Sequence, residues 1–290
     1  MGESDRYYDY KIKSQRFAFG QPGNTVMWLF VLNVIFFLIL LTIKTSIEVN
    51  DNSSALFYTD VAPWFQLPAD IIKLASRPWA FFVFMFSEVE IFRGISNMLW
   101  LWAFGSILQN LTGNKKLIPV YLYGGFTAAV FFIAASNLIP SNKAAIETAS
   151  LMGANASIMA IAAAATMVAP NYRFFRHIRN GIPIWVLTII YFAIDLAAVA
   201  DKPLAIPLAH IGGILAGIGF VYLLKKNIDA GAWMNNLYNR AINLFNPDKD
   251  KGRNQIKDKV FYDTGNRRPY KKTSNITQQR VDEILDKINQ

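Results

Sequence analysis

Asn97, Asn155, Asp195 and His210 are polar side chains set inside long apolar stretches of this 290-residue chain. Such groups are costly within hydrocarbon and mark candidate functional sites. His210 can accept and return a proton near neutral pH. Asn97 and Asn155 can donate and accept hydrogen bonds, and Asp195 is an intramembrane polar partner for them. Together they suggest a polar cavity. Taken singly, each could instead glue a pair of helices by hydrogen bonding. A proton path through Asp195 and His210 is a third assignment.

The elements that must position these residues are membrane helices. The chain is 53% hydrophobic, 14% aromatic and only 17% charged, and its apolar residues come in blocks. Blocks of about 18 to 20 such residues match a bilayer core about 30 Å thick. Backbone polar groups there have no water, so the spans are helical. The expected fold is an all-α membrane bundle of six spans, at about 26–43, 95–111, 117–138, 150–169, 183–200 and 206–224. Residues 1–24 form a cytoplasmic N-terminal segment without a removable signal sequence. Residues 25–225 form the transmembrane domain, and 226–290 a basic, largely disordered tail. Within that tail, AWMNNLYNRAINLF and QQRVDEILDKI are amphipathic.

The outer loop between the first two spans carries Trp64, Phe65 and Trp79, residues that suit the headgroup belt. The short stretch AFFVFMF is too short to span and is expected to be re-entrant or to lie on the surface. The formal net charge of +9 reflects basic residues beside the spans and in the tail. This distribution points to topology and anionic lipid rather than nucleic acid. Arg6, Lys11, Lys13, Arg16, Lys115, Lys116, Arg173, Arg176, Arg179, Lys225 and Lys226 share one side if both termini are cytoplasmic. There is no cysteine, so disulfides and thiolate sites are excluded. No metal site and no cofactor are expected.

With that topology, Asn97, Asn155 and His210 lie within about two turns of the outer entrance, and Asp195 reaches the same level. Gly213 and Gly217 form a small-xxx-small face on the last span, and Gly153 with its neighbouring alanines offers small residues on the fourth. Close backbone packing of the two would bring Asn155 and His210 together.

The ordered motifs resemble the rhomboid family of intramembrane serine proteases. They run from an LPA…RPW segment through FRGISNMLWLWAFG and GANASIMAI to AHIGGILAG, over most of residues 26–225. The resemblance implies that His210 matches the general base and Asn97 an oxyanion-stabilising asparagine. Asn155 stands where the nucleophilic serine is found. Arg93 stands where a histidine of the oxyanion region is found. Arg93 could also pair with Glu88, Glu90 or Asp195. A hydroxyl bonded to imidazole can be deprotonated as it attacks, whereas a carboxamide is a poor nucleophile. Loss of the nucleophile removes most of the rate. Ser157 lies about 200° and Ser150 about 140° around a regular helix from Asn155, so neither faces His210 there.

The expectation is therefore a catalytically degenerate rhomboid, a pseudoprotease, that binds transmembrane segments of client proteins. The alternative is an active endopeptidase with a displaced nucleophile, Ser157 in the first instance. Partners are client helices, the bilayer, and anionic lipids with the tail. The expected location is a bacterial inner membrane.

Overall fold

Asn24 opens the first helix by accepting the Met27 amide at its side-chain oxygen, a capping bond. Helix α1 then runs from Thr25 to Asp51 and ends at Asn52 in the left-handed region. It is longer than the sequence suggests, because the polar segment after Ile43 continues the helix beyond the apolar block. The structure is a computed structural model that describes residues 24–174 and 181–245. The N-terminal basic residues, Arg176, Arg179 and the segment QQRVDEILDKI lie outside the described residues.

After α1 the chain folds back through strand β1 (Leu67–Pro68), α2 (Ile71–Ser76) and α3 (Ala80–Val83). A tight turn of helix over Phe84–Phe86 follows. Phe84 and Met85 are fully buried, so AFFVFMF enters the bundle rather than lying on a surface. The Tyr121 hydroxyl donates to the Met85 carbonyl (2.7 Å) and holds the stretch there. Trp64 and Trp79 stack with 5.8 Å between centroids, half exposed, and Arg77 lies over the Trp64 ring.

Helix α4 (Ile91–Thr112) starts four residues before the expected span, so Arg93 and Asn97 share one helix. Helix α5 (Leu117–Leu138) has the expected bounds. Strand β2 (Ser150–Leu151) pairs antiparallel with β1, Leu67 opposite Leu151 and Pro68 opposite Ser150. Helix α6 begins only at Asn155 and ends at Val168. The expected helix over 150–169 is thus corrected at its start. Gly153 has φ +126°, a backbone state that side chains disfavour, and donates its amide to the Phe84 carbonyl (3.0 Å). At about 1.5 Å per residue, 14 residues cover about 21 Å, short of a bilayer core. Extended backbone at such depth is tolerated where protein buries it or a cavity adjoins it.

The two-residue strands β3 (Arg173–Phe174) and β4 (Ile182–Pro183) pair ahead of α7 (Ile184–Ala198), which leads to α8 (Ala205–Lys225). Four helices, α1, α4, α5 and α8, are long and apolar enough to cross a membrane, and α6 and α7 are shorter apolar helices. This is a multi-pass membrane protein of mostly helical structure. Helix α6 is central: Asn155 to Ala165 are buried without interruption, against α4, α5 and α8. Its alanines leave room for that. A Cβ added at Gly213 or Gly217 of α8 would overlap the carbonyl oxygens of Ala156 and Ala160.

The end of the bundle away from β1 and β2 is fastened by an ion pair between Lys116 and Asp229. The Lys116 ammonium holds the Asp229 carboxyl below the usual carboxylate range. AWMNNLYNRAINLF forms α9 (Ala232–Phe245), so this part of the expected disordered tail is helical. Trp233 donates its ring N–H to the Tyr123 hydroxyl (2.8 Å). The chain divides into two compact units, 1–236 and 237–290.

Candidate functional site

The N-terminus of α6 carries Asn155 into the middle of a buried hydrogen-bonded row. Asn97 of α4 donates its side-chain N–H to Asn155 Oδ1 (2.9 Å). Asn155 Nδ2 donates in turn to Asp195 Oδ1 of α7. Asp195 Oδ2 lies 2.5 Å from His210 Nδ1 of α8. All four side chains are buried. Four helices thus meet through one row of polar groups, each satisfied by the next. The Tyr191 hydroxyl adds a long bond to the Asn155 carbonyl (3.4 Å), and its ring packs on Trp100 and Phe104.

The chemistry of the row follows from its donors. With Asp195 accepting from Asn155 and from the His210 Nδ1–H, the free ring nitrogen of His210 is Nε2. Asn155 has both ends of its carboxamide engaged and offers no hydroxyl or thiol to attack a carbonyl. The row can orient an imidazole and supply hydrogen bonds. It carries no hydroxyl or thiol.

A cavity of about 160 Å³ opens beside the row, at the end of the bundle where α4, α6 and α8 begin. Asn155, His210, Glu88, Arg93, Ser150 and Lys202 contribute to its wall. Arg93 does not join the row: its guanidinium pairs with Glu90 at 3.3 Å. Of the partners the sequence offers it, the nearest along the helix has won. Gly153 makes the turn that sets Asn155 at the head of α6, and Gly213 and Gly217 bring α8 against it.

Among the described residues, neither serine considered as a substitute hydrogen-bonds to His210. Ser157 Oγ is fully buried, has no hydrogen-bond partner among the described residues, and lies 3.0 Å from where a Cβ on Gly125 of α5 would sit. It therefore faces α5. Ser150 is not helical, which removes the angular argument made for it. Its hydroxyl lines the cavity and donates to Gln66 Oε1 (2.7 Å). Among the described residues no three His, Cys, Asp or Glu side chains converge as a metal site.

Glu88 is the cavity residue that sequence reasoning passed over, treating it only as a partner for Arg93. Its Oε1 accepts the amides of Val89 (2.9 Å) and Glu90 (3.1 Å), while Oε2 is buried without a partner among the described residues. Burial pushes its carboxyl above the usual range, against the opposing effect of those amides and of Arg93. The signal was its place: a carboxylate two residues after the apolar run AFFVFMF.

The Rhomboid domain model matches residues 75–227, more than half of the chain. The chain belongs to the rhomboid family. One relative is the presenilin-associated rhomboid-like protein A, mitochondrial, of Danio rerio, 28% identical over 151 residues. That alignment covers 47% of this rhomboid chain and 35% of the relative, so it spans about a third of the relative's length. The rhomboid match begins just ahead of α3 and closes two residues past α8, so all four members of the polar row lie within it.

Proposed function

We propose that this rhomboid protein is proteolytically inactive and binds transmembrane segments of client membrane proteins. The observation that carries this is the double engagement of Asn155. At the position where the family resemblance expects a serine, the side chain is held by Asn97 and Asp195 and has no attacking atom. The cavity beside the row makes a receptor. A helix that unwinds near its outer end frees backbone N–H and C=O groups, and a polar cavity at that depth can satisfy them.

In this reading α1, α4, α5, α6, α7 and α8 are six spans with both termini cytoplasmic, in a bacterial inner membrane. Clients enter sideways between α4 and α7, whose outward faces expose Leu99, Trp102, Ile190 and Ile194. The tail associates with anionic lipid.

The test is a cleavage assay in proteoliposomes with a panel of single-span substrates, beside crosslinking from Asn97. Wild type is compared with Arg93→His combined with Asn155→Ser, each with a His210→Ala control. Expected are a silent wild type that crosslinks client helices and His210-dependent cleavage by the double variant. Cleavage by wild type that depends on His210 would overturn the assignment. A second reading, a protease with a displaced nucleophile, is favoured by one observation, that Ser150 shares the cavity wall with His210. Under it, Ser150→Ala abolishes wild-type cleavage and Ser157→Ala does not.

A further inference from the structure

Among the described residues, the charged groups of the cavity are matched by ion pairs, with one exception. Arg93 is paired with Glu90, Lys202 with Asp201 at 3.8 Å, and His210 with Asp195. Glu88 remains. Its residue is only 6% exposed, and its Oε2 has no hydrogen-bond donor among the described residues. That oxygen lies 3.4 Å from where a Cβ on Gly153 would sit, so it looks onto bare backbone at the head of α6.

A buried carboxylate oxygen without a donor carries its full desolvation cost, and native proteins keep such groups for a reason. Oε2 is not needed in this state to hold the loop, because Oε1 alone accepts both loop amides. What Oε2 lacks is an N–H, best from a cation, since charge-assisted bonds are roughly twice as strong as neutral ones. Lysine and arginine near the ends of membrane helices extend their head groups toward the interface. A client helix lying beside α4 would bring such a head group to the level of Glu88.

We propose that Glu88 is a recognition residue whose Oε2 receives the ammonium or guanidinium group of a basic residue at the outer end of a bound client helix. The inference rests on the client-binding reading and adds the chemical class of client. Arg93 shares the wall, but its guanidinium pairs with Glu90 and gives Oε2 no hydrogen bond. The cavity therefore discriminates for a client's cation by leaving one carboxylate unclaimed.

The experiment uses the full chain in proteoliposomes and a synthetic single-span Leu/Ala peptide with a photoreactive leucine. One position at the outer end of the peptide is Lys, Met or Glu. With wild type, the Lys peptide should crosslink about tenfold better than the Met peptide at limiting concentration. Glu88→Gln keeps an acceptor for the two loop amides, and should bring the Lys peptide down to the Met peptide's yield. Glu88→Lys should reverse the order, favouring the Glu peptide, a result that mere misfolding cannot give. Equal yields for Lys and Met with wild type, or a preference that survives Glu88→Gln, would overturn the inference and leave client binding standing. Failure of all three peptides to crosslink would overturn client binding and this inference with it.

Discussion

The side chains of this site differ in how completely they are satisfied, and that decides what each can be asked to do. Asn155 has both ends of its amide bonded, whereas Glu88 has one oxygen bonded and one bare. For Glu88 the sign of the pH dependence follows from its raised carboxyl. A group held toward its neutral form contributes stability below its unfolded pKa and loses that contribution as pH rises through the folded value. Glu88→Gln removes the ionisation and should melt above the wild type at pH 8, with the gap closing toward pH 4 in a thermal-shift series in detergent. A gap that stays constant over that range would show that burial is not what perturbs the carboxyl. That Asn97, Asn155, Asp195 and His210 come together was legible, because polar groups in apolar blocks stand out. Their order was not. Asp195 is 40 residues from Asn155 in the chain, and only the packing of α7 on α6 sets them together.

At the level of elements, α8 and α6 depend on the absence of side chains. A methyl on Gly217 would meet the Ala160 carbonyl, which is backbone and cannot turn away. Gly217→Ala should therefore destabilise by about 1–3 kcal/mol in reversible unfolding. Gly219, two residues on, has open space where its Cβ would be, and Gly219→Ala should stay within about 0.5 kcal/mol of wild type. Equal effects would mean that the α6–α8 contact is looser than its geometry. The helices themselves were largely readable: 117–138 carries its bounds in its hydropathy, and 206–224 is off by one residue at each end. Readability failed where a distant partner sets the backbone. Ser150 and Leu151 are extended because Leu67 and Pro68 offer a ladder, and Gly153 then turns the chain into α6. Nothing local to 150–154 distinguishes that from a helical start.

For the molecule as a whole, sidedness is the property to measure, and the lack of cysteine makes it accessible. Single cysteines at exposed Ser53 and Asp201 should react with an impermeant maleimide applied outside intact cells. Cysteines at Lys115 and Asn227 should react only after lysis. Labelling of Ser53 and Lys115 from the same side would exclude the six-span arrangement. The bracket around Asn155 also bears on descent. An asparagine codon becomes a serine codon by a single base change, so the mutation is always within reach. A serine hydroxyl, however, is too short to span the gap between Asn97 and Asp195 and has one hydrogen to give. The change would strand a buried carboxylate oxygen and a buried amide at once. The row is fitted to an asparagine, so Asn155→Ser should cost stability even where it supplies a hydroxyl beside His210.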